Sequence, residues 1–239
     1  MSSEPRITVS VVSHGQRGMV ARVVEQLADL NNADIKTVVV THNLTDESLP
    51  KPPNAAFELI QIHNPKPLGF AANHNQAFKH CQTPWFAVLN PDLEFRFGDP
   101  FPMLLADACE SPQLGAIAPA LVQPGTMRIE PNRGVVTPIE LIRRRIPGYV
   151  APPEPRWLVG AFLLIRSSAY QALGGFDERF RLYCEDVDLG LRLRESGWAI
   201  RRVESAWVLH QTQRHSHNKF QYSIMHIRSL LRLWRKLYF

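Results

Sequence analysis

The first 122 residues alternate two hydrophobic rhythms, and few architectures accept that alternation. Short apolar runs stand at "ITVSVVS" (7–13), "KTVVVT" (36–41), "FELIQIH" (57–63), "PWFAVLN" (84–90) and "GAIAPALV" (115–122). Runs this short and rich in β-branched residues read as strands. Between them the apolar spacing becomes helical. Val20, Val23, Val24 and Leu27 share one face of a helix expected from Val20 to Leu30, and a second helix is expected from Phe101 to Cys109. The stretch "GFAANHNQAFKHC" (69–81) reads as a loop turning into a helix. This β-α-β-α order predicts an α/β fold with a mostly parallel central sheet covered by helices on both faces. Ligands of such sheets bind beyond the carboxyl ends of the strands. That rule places Ser13, His14, Thr41, His42, Asn43, Asn64, Asn90 and Asp92 on one rim.

The second half is less regular. Residues 123–156 hold seven prolines, three glycines and the basic run "IRRRIPG", and they read as an irregular excursion rather than a domain boundary. "WLVGAFLLIRSSAY" (157–170) returns to strand and then helix. "EDVDLGLRLRESG" predicts an amphipathic helix, with Val187 and Leu191 one turn apart and Gly197 as its stop. "WAIRRVE" and "AWVLH" are expected as two short strands. In the tail, Phe220, Ile224, Ile227, Leu231, Trp234 and Tyr238 recur at spacings of 4, 3, 4, 3 and 4, with Arg228, Arg232, Arg235 and Lys236 mostly off that stripe. Such a helix either lies on a membrane surface or packs on its own domain or on a second subunit of a homodimer.

Composition narrows the function classes. With 239 residues, 45% hydrophobic and 21% charged, the chain can bury one good core. Three cysteines, Cys81, Cys109 and Cys184, suggest neither a disulfide framework nor a paired-cysteine metal site, which fits a reducing cytoplasm. No signal peptide is expected from "MSSEPRITVSVV", and "WLVGAFLLI" is too short to span a bilayer. The formal charge of +5 suits anionic ligands such as diphosphates or lipid headgroups. No nucleic-acid recognition motif accompanies it, so nucleic acid is not an expected partner. The glycine patterns of dinucleotide and P-loop sites are absent, as are HExxH and GxSxG.

Three segments remain as candidates for chemistry. In "LNPDLEF", Asp92 lies just past a strand end, two residues from Asn90; it could hold a hard cation on a diphosphate, and the same Asn-Pro-Asp is also good turn chemistry. In "NPKPLGFAANHNQA", Gly69, Ala71 and Ala72 allow close backbone approach, and Asn73 and Asn75 could bond a base or sugar; a tight turn with ordinary helix capping is the alternative. In "CEDVD", Glu185, Asp186 and Asp188 could serve a helix start through the dipole and an Asp188–Arg192 pair, or one of them could accept a proton. His210 ends an apolar strand, where a lone histidine is commonly structural. His215 and His217 have the spacing of a metal pair on a segment that reads as exposed, and they are discounted.

Together these segments resemble the family-2 glycosyltransferases with the GT-A fold, especially the bacterial rhamnosyltransferase-like branch. The resemblance runs from "TVSVVSHG" through "GFAANHNQA", "FAVLNPDLEF" and "GAFLLIR…GGFDERF…EDVDLGLRLR" to "WVLHQ", and "SLLRLWRKLYF" looks like the family's C-terminal helix. It implies a GT-A domain over 1–215, with a nucleotide-sugar half (1–122), the excursion (123–156) and an acceptor and catalytic half (157–215), followed by a basic amphipathic helix over 216–239. It implies an inverting transfer of a sugar, rhamnose from dTDP-rhamnose first among the candidates, from a nucleotide-diphosphate donor to a hydroxyl of a glycan or lipid-linked acceptor in cell-surface polysaccharide synthesis. Asp186 would match the general base, with Glu185 orienting it or touching the acceptor. Asp92 would match the ligand of a divalent cation, Mg²⁺ or Mn²⁺, and His210 a histidine that helps bind the metal or diphosphate. Ser13, Asn43, Gly69, Asn75 and Asn90 would line the nucleotide-sugar site. The chain departs from the family at His42-Asn43-Leu44, where Asp-Asn followed by small residues is usual. The expected location is the cytoplasm, peripheral on the inner face of the cell membrane. Two other readings compete: a sugar-nucleotide-binding protein without activity, and a nucleotidyltransferase on a related sheet.

Overall fold

A computed structural model of the chain describes residues 6–45, 47–211 and 219–238, with side chains of the last segment from 223 onward. His215 and His217 lie outside the described residues. One eight-stranded sheet runs in the order β3-β2-β1-β4-β7-β6-β8-β5. Its strands are β1 (Ile7–Ser13), β2 (Ile35–His42), β3 (Glu58–His63), β4 (Trp85–Leu89), β5 (Leu93–Glu94), β6 (Leu114–Val122), β7 (Phe162–Arg166) and β8 (Ala199–His210). The helices are α1 (Arg17–Asp29), α2 (Phe70–Phe78), α3 (Phe101–Cys109), α4 (Pro138–Arg143), α5 (Ser167–Ala172), α6 (Glu185–Glu195) and α7 (Lys219–Tyr238).

The four strands from β3 to β4 pair in parallel, as the alternating pattern predicts. The other half is mixed. β7 pairs antiparallel with both β4 and β6, β6 and β8 are parallel, and β5 lies antiparallel on the edge beside β8. The two short strands expected near the C-terminal end are one strand, β8, with a bulge: Pro119 pairs with Val203 while the next residue, Ala120, pairs with Trp207. The polar pair Glu204-Ser205 sits in that bulge, which accounts for the apparent break in the apolar pattern.

Strand alternation divides the core between two faces. Val9, Val11, Val38 and Val40 pack with Val20, Val24 and Leu27 of α1 and with Leu104 and Leu105 of α3. Val39, Phe86 and Val88 point the other way, onto Ala71 and Ala77 of α2, Tyr170 of α5 and Leu189 of α6. α6 begins with three acids in its first turn and carries Arg192 and Arg194 in its last, matching both ends of the dipole. It stops at Gly197, φ +82°, where Gly197 N–H donates to Arg194 O and Trp198 N–H to Leu193 O. The excursion contains one helix, α4, capped by Thr137 Oγ1 on Glu140 N–H, with Pro138 at the first helical position.

A third cluster brings the excursion, α6 and α7 together around Val136, Trp157, Phe180, Val187 and Leu233. Here the packed face of the tail is only partly the stripe read from the sequence. α7 docks through Ser229, Leu230, Leu233 and Leu237, whereas Ile227, Leu231 and Tyr238 of the expected stripe face outward. Four polar bonds from three side chains decide the orientation. Ser229 Oγ donates to Leu182 O, Trp234 Nε1 to Val136 O, and Lys236 Nζ to Asp177 and Asp188.

Candidate active site

β4 ends at Leu89, and the Asn-Pro-Asp turn leads into β5. β5 pairs Leu93 with His210 at the end of β8. That edge pairing, reinforced by Gln211 N–H on Asp92 O, brings Asp92 Oδ1 to 3.6 Å from His210 Nε2. Burial pushes the Asp92 carboxyl above its ordinary range, partly offset by His210. Asp92 Oδ1 is buried and has no hydrogen-bond partner among the described residues. The other ring nitrogen of His210, Nδ1, lies 3.3 Å from Glu130 Oε1. Glu130 is buried and also accepts from Arg133 Nη2 at 2.8 Å. A carboxylate behind one imidazole nitrogen fixes the tautomer and leaves the other nitrogen as an acceptor.

The acidic helix start lies against the entry to β7, whose Phe162 pairs with Leu89 at the end of β4. Tyr183 and Cys184 both adopt left-handed backbone angles, φ +69° and +67°, which non-glycine residues rarely do. Strain of this kind persists where surrounding contacts enforce it, and it concentrates at functional sites. Part of that enforcement is visible at Gly69. Phe70 N–H donates to Arg181 O, and a Cβ on Gly69 would stand 2.6 Å from that oxygen. The small residue at 69 thus lets the loop before α6 cross the start of α2.

Asp186 remains half-buried. Its Oδ2 accepts from Gly160 N–H at 3.0 Å and its Oδ1 from Val187 N–H at 2.8 Å. Burial raises its pKa, while those N–H groups and the charge of Arg133 pull it down. Glu185 is 5% exposed and its Oε2 has no hydrogen-bond partner among the described residues. Burial, then the neighbouring Asp186, hold its carboxyl well above the ordinary range. Asp188 is structural, paired with Arg192 Nε at 2.7 Å and Lys236 Nζ at 2.6 Å. The two acidic sites meet at one dipeptide. Gly160 N–H holds Asp186, and the adjacent Ala161 O accepts from Asn90 N–H.

The other rim residues fall into two groups. Ser13 ends β1, buried, with its carbonyl accepting from Asn43 N–H. Asn43 and Asn75 are braces. Asn43 bonds His14, Asn64 and both the N–H and C=O of Leu68. Asn75 bonds Tyr170, Glu178 and both the N–H and C=O of Phe176. Each side-chain amide is thereby fully engaged with protein. Thr41 Oγ1, His42 Nδ1 and Asn64 Oδ1 are buried and unpartnered among the described residues, a polar niche at the carboxyl ends of β2 and β3. Sequence reasoning missed Glu130, a single acid in the proline-rich excursion with no local pattern around it; its partner His210 lies 80 residues away.

Cations such as Mg²⁺ and Mn²⁺ use oxygen-rich sites and often only one or two protein ligands, with substrate phosphates completing the shell. Asp92 with its unpartnered oxygen, next to an imidazole oriented by Glu130, fits that description. No group of three or more His, Cys, Asp or Glu suited to a metal occurs among the described residues.

Comparison with known proteins agrees with this geometry. The family model described as "Glycosyl transferase family 2" matches residues 8–174, and "Glycosyl transferase family group 2" matches 140–239. An N-acetylglucosaminyl-diphospho-decaprenol L-rhamnosyltransferase of Mycobacterium tuberculosis is 36% identical over 146 residues, covering 53% of this chain and 46% of that protein. Rhamnosyltransferase WbbL of Escherichia coli is 32% identical over 77 residues, 32% of this chain and 29% of that one. The chain therefore spans under half the length of these two curated relatives. Among solved structures, GalNAc-T7 with UDP, GalNAc and Mn²⁺ superposes at TM-score 0.71 and 14% identity, covering 98% of this chain and 48% of that one. The mannosyltransferase PcManGT from Pyrobaculum calidifontis, with GDP-Man and Mn²⁺, gives TM-score 0.66 at 14% identity, over 99% and 65%. These likenesses show the fold, which is of the GT-A kind.

Proposed function

The chain belongs to glycosyl transferase family 2, and from that premise we propose that it is an inverting transferase that moves a sugar from a nucleotide diphosphate to a hydroxyl of a lipid-linked glycan. Rhamnose from dTDP-rhamnose is the first donor to test, in keeping with relatives named as rhamnosyltransferases. The observation that carries the reading is the shared dipeptide Gly160–Ala161, which ties the Asp186 carboxylate through Gly160 N–H, and the Asn-Pro-Asp turn through Ala161 C=O, to neighbouring residues before β7.

The chemistry follows from those positions. Asp186 takes the proton of the acceptor hydroxyl as the new O–C1 bond forms. The bond from C1 to the phosphate oxygen breaks, and its electron pair leaves with the nucleoside diphosphate. Attack comes from the face opposite the leaving group, so base and diphosphate stand on opposite flanks of the sugar. A base so placed contributes about 10²–10⁴-fold. Asp92 and His210 would hold the divalent cation, with Glu130 setting the His210 tautomer. When bound, that cation supplies positive charge against the charge growing on the diphosphate. Ser13, Asn90 and the niche at Thr41, His42 and Asn64 would face the nucleotide and sugar, while Asn43, Gly69 and Asn75 shape that rim. Glu185, buried beside the base, would orient Asp186 or touch the acceptor.

The outward face of α7 supports a peripheral membrane contact at the inner leaflet. Ile227 and Leu231 are exposed beside Arg228, Arg232 and Arg235, which is the composition of a helix lying in an anionic interface. No helix among the described residues is long and apolar enough to cross a membrane. The test is a panel of nucleotide sugars with Mg²⁺ or Mn²⁺, read by nucleotide release with and without a prenyl-diphosphate-linked sugar acceptor. Release that requires acceptor, cation and Asp186 supports the reading. Donor binding without release, under every cation, would favour a binding protein instead.

A further inference from the structure

The excursion holds a groove of about 550 Å³, bordered by Val135, Arg143, Ile146, Tyr149, Val150 and Arg156. That volume lies in the range of small-ligand sites. We propose that this groove is the acceptor's lipid subsite, taking a phosphate-bearing alkyl or isoprenoid chain. The inference rests on the transferase reading above and adds to it the place where the acceptor's lipid binds.

Charge is the first argument. Glu140 is the groove's one carboxylate, and it already accepts hydrogen bonds from Arg144 Nε and the Tyr149 hydroxyl. Arg143 and Arg156 make no side-chain hydrogen bond or ion pair among the described residues; the charge of Arg143 acts on Glu140, but both guanidinium groups keep their N–H donors for a ligand. Guanidinium forks match phosphate oxygens in geometry and charge.

Apolar surface is the second. Ile146 is 55% exposed and Val150 86%, and Ile142, one turn before Ile146, is 64% exposed. α4 turns Leu141 inward onto the cluster around Leu233 and leaves these aliphatic side chains outward. Aliphatic surface beside these guanidinium groups suits an amphiphile with an anionic head better than a free sugar phosphate.

Position is the third. Gly134, in the groove wall, accepts a hydrogen bond from Trp157 Nε1 at 2.9 Å, and Arg156 N–H donates to Arg133 O at 3.1 Å. Trp157 packs against Gly190 in α6, one turn beyond the base, and the Arg133 guanidinium stands over the Trp157 ring. Arg133 is also the side chain whose positive charge reaches Asp186. The wall of the groove is thus linked to α6 and its base through Trp157 and Arg133, and in this proposal a phosphate held by Arg143 and Arg156 would place its attached sugar on the acceptor side.

The test uses farnesyl diphosphate as the probe. It is titrated calorimetrically into the full chain with saturating dTDP and EDTA, so that the donor side cannot chelate the diphosphate. The wild type is expected to bind it at least tenfold more tightly than inorganic diphosphate or farnesol. The Arg143→Gln/Arg156→Gln variant and, separately, Val150→Asp should each weaken it at least tenfold, with thermal melting unchanged. Equal affinity for inorganic diphosphate, or unchanged affinity in both variants, overturns the proposal. So does a loss confined to phosphatidylglycerol vesicles, which would assign the arginines to the bilayer surface. The titration needs no turnover. A wild type that binds farnesyl diphosphate as described but transfers no sugar contradicts the transferase reading, whereas sugar transfer with an indifferent groove contradicts this one.

Discussion

At the scale of single residues, the account turns on how Asp186 and Asp92 are held. Asp186→Asn keeps the hydrogen bond from Gly160 N–H but cannot accept a proton, so transfer should fall by about 10²–10⁴-fold while dTDP binding persists. Rates of nucleotide release and dTDP titration check both halves. The pH profile gives a second reading. Burial places the Asp186 pKa above the ordinary aspartate range, so the acidic limb of kcat/KM should lie above that range, with activity rising as the carboxylate ionises. Arg133 lowers that pKa through its charge, so Arg133→Gln should move the limb to higher pH. A limb that stays in place would detach Arg133 from the base. On the metal side, Glu130→Ala should weaken Mn²⁺ binding about 10–100-fold, as measured by electron paramagnetic resonance, because His210 loses the group that orients it. On local pattern alone Asp92 reads as turn chemistry and Asp186 as one of three acids at a helix start; the family resemblance is what singles them out as proposed site residues. Glu130 could not be picked out, because only the folding of the excursion onto β8 gives it a partner. The same holds for Asn43 and Asn75, whose residue type suits sugar contact and helix bracing equally; their neighbours decide between the two.

At the scale of elements, α7 is the informative case. Its sequence carries two apolar stripes, and spacing alone cannot choose between them. Ser229, Trp234 and Lys236 make the choice, since each reaches a specific acceptor on the domain. The two faces should therefore respond differently to charge. Leu233→Asp places a carboxylate in a fully packed position and should destabilise the fold by about 3 kcal/mol or more. Ile227→Asp/Leu231→Asp should leave the melting temperature nearly unchanged and reduce binding to phosphatidylglycerol vesicles. Sedimentation with vesicles and thermal melting separate these outcomes, and a fall in stability from the outward pair would reverse the assigned faces. The strands were the most legible part of the chain. β1 fills the residues its apolar run marks, and α3 those its spacing marks. β8 was less so, because a bulge interrupts the hydrophobic period without ending the strand.

At the scale of the whole molecule, the sheet explains why the two acidic sites meet. The β-α-β-α pattern leads to the parallel half and its rim, but not to β7 entering antiparallel between β4 and β6. That entry sets Gly160–Ala161 beside the end of β4, between Asn90 and Asp186, and no local pattern announces it. α7 then packs over the loop before α6 through Leu182 and Asp177 and over α6 itself through Asp188, so the tail helix supports the element that carries Asp186. The central claim is that the leaving diphosphate and the carboxylate of Asp186 work on opposite flanks of one sugar carbon. Proton NMR of the product of the best donor in the panel, taken early in the reaction, reads that arrangement from the anomeric configuration. Opposite flanks predict a product inverted relative to the donor. A product that retains the donor's configuration would contradict the account.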